Sequence, residues 1–244
     1  MSDLVSKVQF KDTELNDWEA ILGNMYLPTE KRLGIFLQQE GYMDKEQVMA
    51  SDIPVEQRPI NQHWSWDRIL RSCFIKQADV VQGLYCLEDQ FDEETIRRNF
   101  EFYEPRTVHE SSLSPCIHSV VACKIKKLDK AYELYLRTAR LDLDDYNKEA
   151  REGLHITSMS GAWLAIVKGF AGMRVKADVL YFDPQMPKQW ESFSFRIKFR
   201  GYVLLVKITK NQTSIQNMSE RDLTIKFKDE FVQILPGQTV KQLN

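Results

Sequence analysis

Near residue 175 the spacing of apolar residues changes, and that change commits the chain to two kinds of structure in a fixed order. Before it, apolar side chains recur every three or four positions, which lays them along one face of a helix. After it they alternate. Phe193, Phe195, Ile197 and Phe199 stand between Ser194, Arg196 and Lys198, the period of a strand with one buried face. The expected architecture is mainly α: a helical part over residues 1–175, then a small antiparallel β domain over 176–244. With 43% of the 244 residues hydrophobic, there is enough apolar surface for a real core.

Within the helical part, Leu15–Met25 reads as a helix that stops before Pro28. Trp66–Leu87 reads as one long helix, with Ile69, Leu70, Cys73, Phe74, Val80, Val81 and Leu84 as its apolar stripe. Asp92 opens the next, with Glu93 and Glu94 suited to the positive end of the helix dipole. Ser114-Pro115 predicts a cap and a first helical proline for a helix through Lys126. Asp129–Leu141 and Trp163–Gly172 complete the series. In the β part, Gly201 predicts a tight turn between Phe193–Phe199 and Tyr202–Thr209. Further strands are expected at Leu223–Phe227 and Phe231–Leu235, the last stopped by Pro236-Gly237.

Bulk properties exclude several function classes. A formal net charge of −2 provides no electrostatic footprint for nucleic acid or an anionic membrane. No apolar stretch approaches a membrane span, and the first residues lack the layout of a signal peptide. Cys73, Cys86, Cys116 and Cys123 lie in apolar, helix-like contexts without CxxC spacing. They read as buried thiols of a cytoplasmic protein, neither disulfides nor metal ligands.

The chemistry concentrates in three segments. Gly153-Leu154-His155-Ile156-Thr157-Ser158 precedes a helical run from Ala162 to Phe170 that carries small residues in its first turn. Unpaired N–H groups and the dipole make a helix start attractive to anions, and hydroxyls with an imidazole would complete a phosphate cradle. An ordinary Ser/Thr cap beside a surface histidine accounts for the same letters. Lys76 and Gln77 interrupt an apolar helix pattern; they would donate to and accept from a sugar's hydroxyls, or Lys76 would reach out to solvent. Tandem Ser111-Ser112 before a capped helix offers donors to an anion, or is a plain polar loop. His63 and Trp64 would line a sugar pocket or pack as aromatic core, core being expected for Trp66. Glu40, before Gly41 in a polar turn, is expected to be solvated and not catalytic.

The stretch from Gly153 through Val175, with its Thr-Ser-Met and Met-Arg-Val, resembles the phosphate-binding signature of glycoside hydrolase family 65. Phe36-Leu37-Gln38-Gln39-Glu40-Gly41 is similar to the Gln-Asp-Gly-Phe stretch of that family. Members split maltose, trehalose, kojibiose or nigerose with inorganic phosphate, and the wording here is most similar to the maltose-cleaving ones. The resemblance runs along nearly the whole chain, although members are several hundred residues longer at the N-terminus. It implies the C-terminal part of an (α/α)6 barrel followed by the β domain. It also implies glucose binding by Lys76 and Gln77, and phosphate binding by Ser111, Ser112 and His155. Thr157, Ser158 and Gly161 would shape the loop behind them.

Phosphorolysis with inversion needs a proton donor on the leaving oxygen, while phosphate itself is the nucleophile. In the family the donor is a Glu within Gly-Pro-Asp-Glu-Tyr, and that motif occurs nowhere among these residues. The resemblance therefore implies a C-terminal portion, inactive alone, with an α-linked glucose disaccharide and phosphate as ligands and no metal or organic cofactor. Its expected macromolecular partner is a separate N-terminal polypeptide or a second copy. The alternatives are a non-catalytic binding or structural remnant, and a portion of a kojibiose or trehalose phosphorylase.

Overall fold

In the computed structural model, which describes residues 2–244, the helical part begins with α1 (Ser2–Lys7) and α2 (Asp12–Asn24). A short ribbon of β1 (Thr29–Glu30) and β2 (Ile35–Phe36) follows. Then come α3 (Ile60–His63), α4 (Trp66–Arg71), α5 (Asp79–Cys86), α6 (Glu93–Tyr103) and α7 (Ser114–Lys124). The series ends with α8 (Leu128–Ala139), α9 (Leu141–Asp144) and α10 (Ile156–Leu164), which runs straight into a π-helical turn, Ala165–Phe170.

The axis of this part is α7, in which every residue from Ser114 to Cys123 is buried. Its sequence has no charged face until Lys124, and a helix that is apolar or small all round must be enclosed. Helices α5, α6, α8 and α10 and the π-helical turn pack around it. Its buried hydroxyl and imidazole groups find partners there: Ser119 Oγ donates to the Ala131 carbonyl at 2.8 Å, and His118 Nδ1 lies 2.9 Å from the Ser114 carbonyl. On α6, Ile96, Asn99, Phe100 and Tyr103 form the buried stripe. Asp92 caps that helix as expected, accepting from the Thr95 N–H at 2.6 Å.

Four expectations need correction. The long helix Trp66–Leu87 is two helices, because residues 72–78 turn away to form a bridge. The Ile75 N–H donates to the Arg106 carbonyl and the Val108 N–H to the Ile75 carbonyl, both at 2.9 Å, so the helical i→i−4 pattern has no donors or acceptors left there. Ser114 is the first residue of α7 and not its cap; its hydroxyl lies 2.9 Å from His109 Nδ1 instead. The last helix starts at Ile156, six residues before Ala162, so Thr157 and Ser158 stand inside its first turn. Cys86, expected to be buried like the other three thiols, is exposed on the outer side of α5, while Cys73, Cys116 and Cys123 are buried, and none of the four is in a disulfide.

The β part starts with β3 (Arg174–Lys176) and β4 (Val179–Phe182), then β5 (Ser192–Phe199), β6 (Tyr202–Thr209) and β7 (Gln212–Asn217). It closes with β8 (Leu223–Phe227), β9 (Glu230–Ile234) and β10 (Thr239–Leu243). Two four-stranded sheets result, ordered β10-β7-β6-β5 and β3-β4-β8-β9. Leu180, Leu204, Val206, Ile208, Ile215 and Ile225 form their shared core. Val167, Ala171 and Met173, from the end of the helical part, join that core. The pairings are antiparallel except β4 with β8, where Leu180 stands opposite Ile225 in parallel. The chain leaves β4, builds β5, β6 and β7, and returns beside it, the long connection that a parallel pair needs.

Candidate functional site

The bridge at Ile75 places Lys76 and Gln77 in a loop beside the segment 106–113, not on a helix. Gln77 Oε1 accepts from Ser111 Oγ at 2.8 Å, and Ser111 Oγ in turn accepts from the Leu113 N–H at 3.1 Å. Lys76 is half-buried next to this pair. Buried charges anchor the loop from behind. Glu110 accepts from Arg58 Nε at 2.9 Å and from the Ile60 N–H at 2.7 Å. Arg137 donates through Nε and Nη2 to the His109 carbonyl at 3.1 and 2.9 Å. A buried carboxylate with both oxygens satisfied by an Arg and a backbone N–H fixes loop position.

The start of α10 closes on the same loop. Thr157 Oγ1 donates to Ser112 Oγ at 2.7 Å, which brings the positive end of that helix to the tandem serines. Ser158 and Gly161 face the other way. Ser158 Oγ donates to the Thr138 carbonyl at 2.7 Å and is buried. Gly161 lies in mid-helix against Cys116 and Thr138. Both serve packing of α10 onto α7 and α8.

His155 sits just before α10 between two carboxylates. Its backbone N–H and Nδ1 lie 2.9 and 2.6 Å from the two oxygens of Asp142, and its Nε2 is 3.5 Å from Glu149 Oε2. Asp142 is an acceptor only, so Nδ1 carries the proton in that contact. The His155 hydrogen bond holds the Asp142 carboxyl below the usual carboxylate range. These groups border a cavity of about 140 Å³ that Asn147 also lines. Asn147 is buried, and neither of its side-chain polar atoms has a partner among the described residues. Asp142, Asn147 and Glu149 lie in a polar run that reads as a solvated surface. The only sequence signal for them is their nearness in the chain to His155.

The tryptophan segment divides differently from expectation. Trp64 donates through Nε1 to Gln57 Oε1 at 2.8 Å, lies under the Arg68 guanidinium at 3.6 Å, and packs on the small cluster of Ile60 and Val108. Trp66, expected in the core, is 71% exposed, because α4 is short and its tryptophan face has no helix over it. His63 and Glu40 are exposed.

One surface region thus gathers Lys76, Gln77, Ser111, Ser112 and Thr157 from three separate stretches of chain, with His155 flanking it. The assembled groups are donors and acceptors suited to hydroxyls and oxyanions. Among the described residues no helix is long and apolar enough to cross a membrane.

Comparison with known proteins matches residues 1–164 to the glycosyl hydrolase family 65 central catalytic domain and residues 173–234 to the glycosyl hydrolase family 65 C-terminal domain. The maltose phosphorylase of Bacillus subtilis (strain 168) is 48% identical over 228 residues, 93% of this chain and 30% of that protein. The alpha,alpha-trehalose phosphorylase of Thermoanaerobacter brockii is 37% identical over 235 residues, 96% of this chain and 30% of that protein. A solved structure assigned as a kojibiose phosphorylase from the human microbiome superposes with a TM-score of 0.87 at 35% identity, covering 98% of this chain and 32% of its own. The chain spans about 30% of the length of the curated relatives it matches.

Proposed function

The chain belongs to glycosyl hydrolase family 65, and we propose that it supplies the glucose- and phosphate-binding portion of an inverting disaccharide phosphorylase. Residues 1–175 would form part of an (α/α)6 catalytic barrel and residues 176–244 its C-terminal β domain. Maltose is the disaccharide favoured by the 48% identity to a maltose phosphorylase. The four free thiols support a reducing, cytoplasmic setting.

The observation that carries this reading is the pair of hydrogen bonds Ser111–Gln77 and Thr157–Ser112. The first joins a residue proposed for glucose to one proposed for phosphate across 34 positions of sequence, and the second ties the start of α10 to the other phosphate serine across 45. Lys76 and Gln77 would hold the glucose hydroxyls, while Ser111, Ser112 and His155 would hold phosphate. An oxygen of phosphate attacks the anomeric carbon from the face opposite the glycosidic bond. That bond breaks with its electron pair going to the leaving oxygen, which takes a proton from an acid. The products are β-glucose 1-phosphate and glucose, and the anionic nucleophile requires neither metal nor organic cofactor. The acid would come from outside these residues, from a further segment or a partner polypeptide, since Gly-Pro-Asp-Glu-Tyr does not occur among them.

One observation favours a second reading, a non-catalytic binding or structural module: Glu149 stands where phosphate would approach His155 Nε2. Calorimetry with inorganic phosphate separates the two. The phosphorylase reading expects binding that the double substitution S111A/S112A weakens about tenfold, near 1.4 kcal/mol. It also expects no phosphate-dependent release of glucose from maltose by the chain alone. Absence of any serine-dependent phosphate binding would favour the non-catalytic module, and turnover by the isolated chain would overturn the assignment of the acid to another segment.

A further inference from the structure

Where the π-helical turn meets the mixed sheet, far in sequence from the serine loop, a cavity of about 270 Å³ opens between Lys168, Gly172 and the β8–β9 turn. Six cations line it against two carboxylates, Asp183 and Asp229, on a chain whose formal net charge is −2. Such a local excess of one sign in a recess with protein walls focuses the field on ligands of the opposite sign.

Two of the six cations are neutralised by neighbouring acids. Arg174 grips Glu88 with Nε at 2.5 Å and Nη2 at 3.1 Å, and its Nη1 donates to the Lys168 carbonyl. Lys176 pairs with Asp89. Among the described residues, the other four, Lys124, Lys168, Lys226 and Lys228, have no carboxylate within ion-pair distance, and Lys228 Nζ donates to the Leu243 carbonyl at 3.4 Å. Lys168 is the least comfortable of them: it is half-buried, and burial and the neighbouring Arg174 hold its pKa below that of an ordinary lysine. An anion arriving there offsets both effects by favouring the charged ammonium.

The rim is closely packed. Gly172 has φ +60°, and a Cβ on it would stand 2.1 Å from the Asp183 carbonyl oxygen, so only glycine fits where the two backbones meet. The turn that carries Lys168 is π-helical, an irregularity often found at functional sites. Neutral groups complete the lining: the Gln185 amide, and the Tyr181 ring with Lys226 Nζ 5.4 Å from its centroid.

We propose that this cavity is a binding site for a small phosphate monoester, with Lys168, Lys226 and Lys228 as its recognition groups. Three ammonium donors match a group that carries nearly two negative charges and three acceptor oxygens. A lone carboxylate offers only two acceptor oxygens to the three ammonium groups. The cavity is also larger than a bare phosphate needs, and Tyr181 and Gln185 offer a ring face and hydrogen bonds to a hydroxylated carbon skeleton. The site is separate from the serine loop and does not depend on the phosphorylase reading.

Lysine labelling with limiting acetic anhydride, read by peptide mass spectrometry, tests this on the intact chain. Probes are glucose 6-phosphate, inorganic phosphate and glucose, each at an ionic strength matched with sodium chloride. Labelling of Lys168 is expected to fall roughly tenfold as glucose 6-phosphate saturates the site, and to stay unchanged with glucose. Protection by inorganic phosphate at higher concentration identifies the phosphate group as the part recognised. Stronger protection by inorganic phosphate than by the ester would overturn the monoester in favour of a free oxyanion. The double substitution K226M/K228M, at half-exposed and exposed positions, should abolish protection, and S111A/S112A should leave it intact. Protection by sodium chloride alone, protection surviving K226M/K228M, or protection lost in S111A/S112A would each sink the proposal.

Discussion

Two buried imidazoles make the stability of this molecule fall as pH is lowered. His118 is fully buried beneath Phe100 and His109, and burial pushes its pKa down to about 4. His109 is held well below the ordinary histidine value by burial and by the neighbouring His118 and Arg137. An unfolded histidine takes up its proton near pH 6.5. Between that pH and about 4 the unfolded chain therefore binds protons that the folded chain refuses, so stability is complete above pH 6.5 and declines as pH falls. His118 alone should remove ~2 kcal/mol by pH 5, at about 1.4 kcal/mol per pH unit, with His109 adding in the same direction. Urea midpoints at pH 7.5 and 5.0 measure it: H118Q should lower stability at pH 7.5 yet show a shallower loss on acidification. An unchanged slope would mean that the imidazole is not the group responsible. At this scale the sequence shows which residue types are present but not their neighbours. Ser111, Ser112 and Gln77 can be picked out by chemistry and resemblance; Ser111 does meet Gln77, and Ser112 meets Thr157. The carboxylates on either side of His155 cannot, because Asp142 and Glu149 look like any acidic surface until the chain folds back on them.

Packing of α10 onto α7 depends on one missing side chain. A Cβ at Gly161 would lie 2.9 Å from Cys116 Cβ and 3.2 Å from Thr138 Cγ2, both on buried helix faces with no room to retreat. G161A should therefore lower stability by about 1–3 kcal/mol, and it should also disturb the Thr157–Ser112 contact one turn away. G172A should be worse, because the obstacle is the Asp183 backbone and φ is positive there as well. Thermal melts rank the two, and G161A proving the more damaging would contradict the geometry. Elements with an uninterrupted period were legible: β5 and β6 match their alternation, and Arg200 and Gly201 at φ +49° and +87° make the two-residue turn between them. Other elements were hidden by tertiary demands. An apolar run gave no hint that residues 72–78 break α4 from α5, since the bridge partner lies 32 residues further on at Thr107. Strand β7 reads as polar, yet Thr213 and Asn217 are buried, held by hydrogen bonds to Asn244 and to the Arg221 and Ile234 carbonyls.

On the whole molecule, α2 carries an apolar stripe with no core behind it. Leu15, Trp18, Leu22 and Met25 fall at helical spacing, the pattern of a helix that packs against something, and all four are exposed, Trp18 at 58% and Leu22 at 76%. Trp66 and Leu70 on α4 are likewise exposed. The stripe was legible in the sequence; its lack of a covering element was not, because periodicity specifies a buried face without specifying what buries it. Contiguous exposed apolar surface drives association in water, and the chain spans only about 30% of the relatives whose fold it shares. We expect self-association that rises with concentration, seen as a growing mean mass by light scattering. Replacing Trp18 and Leu22 by Lys should shift the chain toward monomer without lowering its melting temperature, because neither side chain supports the core. Two outcomes would count against this account: a wild-type chain that stays monomeric at high concentration, or a W18K/L22K chain that unfolds. The second would show that α2 packs more tightly than its exposure implies, and that the apolar stripe stabilises the isolated fold instead of awaiting cover.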